Sequence, residues 1–538
     1  AGNYRFNGAP GSSVKNLGNI TVPPGGTVAL IAPVVANSGT IRAPQGKALL
    51  ASAEAFRITL PGDNFAYTLE RGTLQGLVDN GGAILTDGGH VVLTALGTDT
   101  VKKSIIRHSG NIEANTVRQK NGKVELLGDL DNSELQFSGS IKAEAPQQGD
   151  GGFVETSAAR LKIADSAQVS TEAKNGKTGE WLIDPQDFNI RKTDGDMTGA
   201  KASESLKQNN LTLKSADGKK AGKGNVNIID EIDWNKNTLT LNAENDINIF
   251  NKMSGSGEAK LKLEYGQASA DGGESEVKFR ANGKIDLPAG KNLTVQKGSA
   301  GKKYEMTVIH DMPQGNTFPA SDIALGKDMD IGYTANRTGF KGWSFPGGNN
   351  SGSLWGLGHE VKGLTIKGDD SDYFLGLVPE IRNGAIRDLK ITDFNISGKS
   401  NSQIGGAVGI IDSSKIVNIN TVGKIKGGTS GGIAGLMSNS TMHDSSADVD
   451  IEADSRNGGL VGEMQNSIVN SSFSSGLIHG VKNNSTSYLG GIVGFSNINN
   501  KITNSSSSVN ISTGKYGSIG GLVGINIGDI DIEYSHAI

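Results

Sequence analysis

The chain lacks cysteine altogether, and it is poor in aromatic residues and proline. Its 538 residues include no Cys, 13 Pro and 5% aromatic residues. The absence of cysteine excludes disulfides, thiolate metal ligands and thiol nucleophiles. With few large side chains to fill a wide globular core, stability has to come from repeated packing of small and aliphatic residues.

A strong charge of one sign and long apolar runs are also missing. The chain has 52 basic and 56 acidic residues and a formal net charge of −4, so no overall field attracts nucleic acid or an anionic membrane. We therefore expect no nucleic-acid partner. No run approaches the ~18 apolar residues of a transmembrane helix, and no signal peptide begins at Ala1. We expect that such a peptide has been removed or that the chain is a fragment.

Glycine is abundant instead, and it recurs in one pattern. There are 77 glycines, about twice the usual share. In the last quarter of the chain the pattern Gly-Gly-apolar-small-Gly occurs five times, at intervals of 26, 27, 32 and 30 residues. Its copies are Gly405–Gly409, Gly431–Gly435, Gly458–Gly462, Gly490–Gly494 and Gly520–Gly524. Repetition with a period of ~20–50 residues indicates a solenoid.

Each period also contains two short apolar segments, such as Ile416-Val417 and Thr421–Ile425. Three short strands per turn, separated by Gly, Asn and Ser corners, predict a coil whose residues alternate inward and outward. The predicted fold class is all-β: a long single-stranded right-handed parallel β-helix with projecting hairpins and loops. A flexible glycine-rich linker is the alternative, but apolar residues at repeated offsets favour the folded coil.

A second marker, Asn-x-Gly-x-Ile or a close variant, recurs in the first 150 residues. Its copies are Asn16–Ile20, Asn37–Ile41, Asn80–Ile84, His108–Ile112 and Phe137–Ile141. We interpret them as corners of the same kind of coil. Between Phe56 and Leu77 two alternating segments flank Pro61–Asn64, which predicts a hairpin projecting from the stack. Ala200 to Lys207 has a helix-compatible composition and predicts a loop or short helix.

Residues from Lys302 to about Gly358 break the repeat most clearly. This stretch contains three aromatic residues that form a candidate binding loop: Trp343, Phe345 and Trp355. Such an insertion is either a packing connector or an exposed binding surface. The residues alone leave both interpretations open.

Several segments resemble two-partner-secretion exoproteins, the filamentous haemagglutinin and high-molecular-weight adhesin class. Gly25–Pro33, together with Asn37–Ile41, is similar to later coils of that family's secretion domain. Gly151–Ser157 (GGFVETS) and Trp181–Pro185 (WLIDP) are similar to the segment that follows it, and this ordered pair is the most distinctive match. The five glycine motifs resemble the GLUG repeats of bacterial surface adhesins and some secreted peptidases.

The resemblance implies four regions. Residues 1–150 would be later coils of the secretion-type β-helix domain, and residues 151–300 would continue the β-helix with the GGFVETS and WLIDP segments. Residues 301–360 would be an irregular aromatic-containing insertion, and residues 361–538 would be coils of GLUG repeats. The secretion domain's Asn-Pro-Asn motif is missing, so we expect Ala1 to lie partway into that domain. Because Ile538 follows a repeat without a capping segment, we expect further coils after it.

No pattern of catalytic or metal-ligating residues stands out. The seven histidines lack metal-ligand spacing, and acidic clusters such as Asp230–Asp233 and Asp369–Asp372 do not recur at one coil spacing. We therefore expect no enzyme activity, no cofactor and no metal. A β-helix carbohydrate-active enzyme stays an alternative, which three or more carboxylates on one face within a cleft would support.

Asn-x-Ser/Thr sequons are candidate glycosylation sites. They include Asn395, Asn439, Asn470, Asn484, Asn504 and Asn510. Corners of a β-helix favour Asn, Ser and Thr for their turn geometry, so sequons also arise there by chance.

The resemblance implies a fragment of an adhesin, secreted or displayed on the outer-membrane surface of a Gram-negative bacterium, that mediates attachment to host cells or glycans. Its partners would be the outer-membrane transporter of the two-partner system and a host cell surface receptor or glycan, and the rod would be monomeric. A haemolysin or haem-acquisition exoprotein, which shares the export machinery, is the other alternative.

Overall fold

The computed structural model of the chain describes residues 2–60, 66–95, 97, 104–215, 222–453, 455–481, 486–513 and 517–538. About 55% of the residues lie in strands and 3% in helices, and the strands form about 15 turns of parallel β-solenoid. The predicted β-solenoid is therefore confirmed. The chain divides into two compact units, Ala1–Lys284 with Leu293–Tyr304 and Ile285–Asn292 with Glu305–Ile538. Lys284–Asp286, Gly290–Lys297 and Lys303–Ile309 are strands that contain the points of division.

The first unit has three strands in each of its early turns, as the repeats predicted. Face A contains Thr27–Ala32, Lys47–Ser52, His90–Ala95, Lys123–Gly128, Phe153–Ser157, Glu180–Asp184, Asn210–Ser215, Thr238–Ala243 and Lys260–Tyr265. Face B contains Ser13–Asn16, Val34–Asn37, Leu77–Asn80, Ser104–His108, Ser133–Phe137 and Arg160–Ile163. Face C contains Asn19–Thr21, Thr40–Arg42, Ala83–Leu85, Asn111–Glu113, Ser140–Lys142 and Gln168–Ser170. Later turns add Phe188–Ile190, Val226–Ile228, Ile247–Ile249, Val277–Phe279, Ile232–Trp234 and Lys252–Gly255.

The Asn-x-Gly-x-Ile markers stack on one another in register. Their last residues form an inward isoleucine column on face C, in which Ile41, Ile84 and Ile112 are fully buried. Their glycines stack as well, since a Cβ on Gly39 would lie 2.0 Å from the carbonyl oxygen of Gly18. The marker is therefore a corner at which adjacent backbones approach too closely for any side chain.

The predicted hairpin is confirmed. Ala55–Leu60 and Ala66–Arg71 pair antiparallel, and Gly2–Asn7 adds a third antiparallel strand. Its Pro61–Asn64 turn lies outside the described residues. The hairpin lies over face A, because Phe56 and Ile58 pack against the outward side chains of Leu49 and Val92. All four are buried, so this part of face A has apolar residues on both sides.

The helix-compatible stretch forms a helix over Gly199–Leu206. The Thr198 hydroxyl accepts a hydrogen bond from the Lys201 backbone N–H at 3.1 Å, which caps the helix N-terminus. Asp230, from one of the predicted acidic clusters, accepts a hydrogen bond from the Gly199 N–H at 2.9 Å. The Asp230 carboxylate therefore stabilises the N-terminus of the helix.

The second unit is also built from stacked parallel strands, which form three faces named D, E and F. Face D contains Asp322–Leu325, Met329–Asp330, Ser353–Trp355, Glu360–Lys362, Thr365–Lys367, Ala385–Ser397, Lys415–Lys426, Thr441–His443, Ser446–Ala453, Ile468–Asn470, Phe473–Gly480, Asn500–Thr503, Ser506–Ser507, Asn510–Ser512, Ile530–Glu533 and His536–Ala537. Face E contains Phe374–Leu375, Gln403–Gly405, Thr429–Gly431, Arg456–Gly458, Ser487–Gly490 and Gly517–Gly520. Face F contains Val378–Arg382, Val408–Asp412, Ala434–Ser438, Val461–Gln465, Val493–Ser496 and Val523–Asn526. A short 3-10 helix spans Gly332–Asn336.

Each Gly-Gly-apolar-small-Gly motif forms the corner between face E and face F. A Cβ on Gly405 would lie 2.0 Å from the carbonyl oxygen of Val408, within its own corner. A Cβ on Gly432 would lie 2.3 Å from the carbonyl oxygen of Gly459, in the next coil. Both contacts are with backbone atoms, so neither can be relieved by turning a side chain. The motif permits a tight corner that stacks closely on its copies.

The three aromatic residues of the candidate binding loop are buried, so their interpretation as an exposed binding surface is wrong. Trp343 is fully buried, Phe345 is 2% exposed and Trp355 is 7% exposed. The Trp343 indole N–H donates to the Pro313 carbonyl at 2.9 Å, and the Arg387 guanidinium lies 4.3 Å from the Trp355 ring centre. Trp343 and Phe345 belong to the core cluster of the second unit, whereas Trp355 is buried against Arg387.

Candidate functional site

The two most distinctive motifs of the sequence lie side by side on face A. Phe153–Ser157 pairs in register with Glu180–Asp184, so Val154 neighbours Trp181 and Ser157 neighbours Asp184. The buried Trp181 indole N–H donates to the Thr156 hydroxyl at 3.1 Å. This bond satisfies the polar atoms of both inward side chains. The same strands present Glu155 and Asp184 on the outward side.

Glu125, one coil earlier, occupies the same outward position as Glu155. Its carboxylate is held by His90 Nε2 and by Lys123 Nζ, each at 2.6 Å. Partial burial would raise the pKa of Glu125, but the hydrogen bonds from His90 and Lys123 hold that pKa below its usual value. Glu125 is therefore an ionised and fully engaged carboxylate.

The pKa values of Glu155 and Asp184 are shifted in the opposite direction. Burial, together with the charges of Glu125 and Asp184, raises the pKa of Glu155, although the Ser157 hydroxyl donates to it at 2.8 Å. Burial also raises the pKa of Asp184, against the effect of Lys214 Nζ at 3.0 Å. Asp184 Oδ1 has no hydrogen-bond partner among the described residues. Tyr67 of the hairpin lies near both glutamates, and burial and their charges raise its pKa to about 12.

Three carboxylates thus share one face, but they are not among the residues that line the two grooves described below, whereas the enzyme alternative required them within a cleft. Two of them, Glu125 and Asp184, are in ion pairs with lysine or histidine. Adjacent carboxyl groups with separated pKa values can exchange protons with a bound molecule. Two of their contacts, Glu125 with His90 and Asp184 with Lys214, join neighbouring coils.

A groove of about 620 Å³ lies along face A, at the beginning of the strands that carry these carboxylates. Lys123 and Phe153 line one end of it, and Thr240 and Lys262 line the other. Sequence reasoning missed both the groove and the carboxylates. The signal that could have found Glu155 and Asp184 is their alternation with the apolar residues of the two motifs.

A second groove, of about 400 Å³, lies on face D of the second unit. Its charged lining residues come from neighbouring coils, and Lys426 pairs with Glu452 at 3.0 Å. His479 Nδ1 contacts the Ser512 hydroxyl at 2.8 Å. Asn395, a predicted glycosylation site, lies at the edge of this groove.

The predicted sequons lie on turns and outward strand positions of the second unit. Asn395, Asn439, Asn504 and Asn510 are exposed, and Asn470 is half-buried. Asn484 lies outside the described residues. Asn439 and Asn504 both have φ of 49°, the left-handed conformation that Asn adopts more readily than most residues. Corner geometry therefore accounts for Asn at these two positions.

Among the residues that the structure describes, no three His, Cys, Asp or Glu side chains are grouped so that they could hold a metal ion. Within the same described ranges, no helix has the length and apolar character needed to cross a membrane.

Comparison with known proteins gives one informative likeness. No family model matches the chain. Over 98 residues the chain is 39% identical to the "Heme/hemopexin-binding protein" of Haemophilus influenzae. The matched segment covers 18% of this chain and 10% of that protein, so the chain spans only a small part of the relative's length. A β-solenoid with this partial likeness fits a secreted exoprotein.

Proposed function

We propose that the chain is part of a secreted two-partner-secretion exoprotein that binds a host component through the outer faces of its coils. The observation that carries this proposal is the 98-residue likeness to a heme/hemopexin-binding protein, on a chain that folds as a parallel β-solenoid. Export would use an outer-membrane transporter, and the protein would be released or displayed at a Gram-negative cell surface.

Attachment to host cells or glycans is the first candidate role. It is supported by the long outer faces of the coils and by grooves that present polar and charged side chains. Immobilised chain should then retain epithelial cells, and excess soluble chain should compete for them. Cells that bind equally well to an immobilised control solenoid would rule out specific attachment.

Haem acquisition is the second candidate role, and the likeness to a heme/hemopexin-binding protein favours it. In that case immobilised chain should capture haem-loaded hemopexin from solution, measured by surface plasmon resonance. Capture of hemopexin without retention of cells would favour this role over adhesion. If the chain binds neither, a passive spacer is the better account of it.

The stacked coils suit export without an energy source outside the cell. Each new coil can pair with the edge of the previous one, so folding can proceed by addition. Chain unfolded in urea should recover its far-UV circular dichroism after dilution, with no chaperone or nucleotide. Failure to refold under any dilution condition would argue against folding outside the cell.

We propose a binding role and no catalytic one. The ion pairs of Glu125 and Asp184 support this, since a catalytic acid or base has to be free to exchange its proton. Incubation with linear polysaccharides should release no new reducing ends or unsaturated products. Release that is abolished by Glu155→Gln would instead establish a carbohydrate-active enzyme.

Glycosylation of the exposed sequons is a further part of the proposal. Asn395 and Asn510 have outward side chains on strands of face D, where an attached sugar would meet solvent. Intact mass spectrometry of protein from the native host should show added hexose masses. Peptide mapping that finds every sequon unmodified would remove this element of the proposal.

A further inference from the structure

The groove on face A is elongated along the stacking direction of the coils. Its lining side chains come from successive strands that begin at Lys123, Phe153, Glu180, Asn210, Thr238 and Lys260. Stacked strands are separated by about 4.8 Å, so five steps extend over roughly 24 Å. This shape suits an extended chain-like ligand better than a single small molecule.

Glycines line one side of the groove, so no side chains project there. Gly152 and Gly179 line it, and a Cβ on either would lie 2.2 Å and 2.0 Å from the carbonyl oxygens of Gly122 and Gly152 respectively. Side chains are therefore excluded along this side by the close stacking of the coils. A ligand can approach the backbone there without steric hindrance.

The remaining uncharged lining is rich in hydroxyl groups. Thr238 and Thr240 occupy neighbouring outward positions of one strand, and their hydroxyls have no partner among the described residues. The partly buried Phe153 ring lies at one end of the groove. Hydroxyl rows and an aromatic ring match the two surfaces of a sugar, which are polar at the edge and apolar on the face.

The charged side chains that line the groove differ in whether they have a hydrogen-bond or ion-pair partner. Glu180 accepts a hydrogen bond from the Thr212 hydroxyl at 2.6 Å, and Asp150 accepts one from the Lys177 backbone N–H at 2.8 Å. Lys177 and Lys262 line the groove, and their Nζ atoms have no partner among the described residues. These neutral donors do not neutralise the two carboxylates, so the groove presents Lys177 and Lys262 as cations without a partner in the described part of the chain, beside Glu180 and Asp150.

Lys177 precedes the strand Glu180–Asp184, and Lys262 lies three coil steps further along face A. Three steps correspond to roughly 14 Å along the stack. Lys177 is also offset along the strand direction, because the residue of its own coil that aligns with Lys262 is Leu182. Two cations at this spacing can contact two anionic groups of one extended molecule. The net charge of −4 means that a polyanion would not be attracted by the chain as a whole.

We infer that the groove on face A binds a linear glycan that carries carboxylate or sulfate groups, with its chain parallel to the coil stack. The inference rests on the proposed function, because it supplies one ligand class for an exported binding protein. It also assigns the recognition to Lys177, Lys262, Phe153 and the two threonines.

The test measures binding of the full chain to a heparin oligosaccharide, a hyaluronate oligosaccharide and neutral dextran by isothermal titration calorimetry. We expect binding to at least one of the two anionic glycans and none to dextran. The double variant Lys177→Gln/Lys262→Gln should weaken that binding by about tenfold or more. The matched control Lys15→Gln/Lys142→Gln removes the same charge from two exposed lysines on faces B and C, and it should leave binding unchanged.

A second variant separates sugar recognition from simple charge attraction. Phe153→Leu keeps an apolar residue in the strand but removes the ring, and it should weaken glycan binding while leaving binding of inorganic polyphosphate unchanged. Equal loss in the lysine control, equal binding of dextran, or no binding of either anionic glycan would overturn the inference. If the chain retains cells or hemopexin but binds no glycan, the inference fails while the proposed function stands.

Discussion

At the scale of single residues, a buried row of amides shows how the coils satisfy polar groups in their interior. Asn37 Nδ2 donates to Asn80 Oδ1 at 2.8 Å, and Asn16 donates to Asn37 in the same way. The row ends at His108, whose Nδ1 lies 3.1 Å from Asn80 Nδ2 and whose ring stacks on Phe137. Each buried amide is therefore paired with the next coil, and the row fixes the register between coils.

His108 makes the stability of the first unit depend on pH. Burial lowers the pKa of His108, because the folded state disfavours the charged ring. Its contribution to stability is present above the unfolded-state pKa of about 6.5 and is lost as the pH falls below that value. His108→Asn should remove this loss on acidification, although the cavity beside Phe137 should cost about 1–2 kcal/mol at pH 8.

The comparison is made by urea unfolding of both proteins at pH 8 and pH 5. His536→Asn changes an exposed histidine of the second unit and is the matched control. The interpretation is wrong if wild type and His108→Asn lose the same stability between the two pH values.

At the scale of elements, corners and hairpins decide how the strands are placed. Corners are built from glycines that backbone atoms of the same or the next coil crowd, as at Gly405 and Gly432. The hairpin is placed by apolar side chains on its inner surface, which cover one part of face A. Corners are therefore determined by the absence of side chains, and the hairpin by their presence.

Gly432→Ala should destabilise the second unit by about 3 kcal/mol or more. The new methyl group would lie 2.3 Å from the Gly459 carbonyl oxygen and 2.6 Å from the Ala447 Cβ, so the two coils would have to separate. Thermal unfolding measures the effect. Gly315→Ala is the control, since its Cβ would meet nothing within 4 Å, and a similar loss in both variants would contradict the corner role.

Phe56→Ala should release the hairpin from face A at a cost of about 3–5 kcal/mol. Phe56 is fully buried, whereas Phe6 on the neighbouring antiparallel strand is 46% exposed. Phe6→Ala should therefore change stability by only about 0.5 kcal/mol. Limited proteolysis near the hairpin, together with urea unfolding, distinguishes the two, and equal susceptibility would show that the hairpin does not depend on this contact.

At the scale of the whole molecule, each unit is held together by columns of equivalent residues. Ile366, Ile396, Ile425, Ile451, Ile478 and Ile511 occupy one inward column of the second unit in register. Burial of each isoleucine contributes about 1.5–3 kcal/mol. A coil gains this contribution only from its immediate neighbours, so stability is approximately a sum of neighbouring contacts.

Position in the column should therefore decide the cost of removing a side chain. Ile425→Ala replaces a residue that is 2% exposed and lies between two neighbours of its own kind, and it should cost about 2–5 kcal/mol. Ile511→Ala makes the same change at a half-buried position and should cost clearly less. Equal losses in urea unfolding would contradict the neighbour-sum description.

The sequence predicted the repeating fold well but the candidate site poorly. Asn37–Ile41 and Gly431–Gly435 could be recognised as corners because their small and apolar residues follow one another directly in the chain. For Trp343 the sequence left packing and surface exposure both open, because a break in the repeat does not reveal what fills it. Glu155 and Asp184 were overlooked because their environments depend on neighbouring coils, and that of Glu155 also on Tyr67 of the hairpin.

The sequence by itself determined the period, the three-strand turns and the corners, since these depend on local spacing and on where a Cβ cannot fit. Only the tertiary structure decided which outward residues meet. Glu125 and Glu155 are 30 residues apart in the chain, yet stacking makes them neighbours. The same stacking places Thr240 beside Lys262 in one groove, which Lys177 also lines. Register between coils is set by contacts across whole turns, and these contacts exist only once the chain is folded.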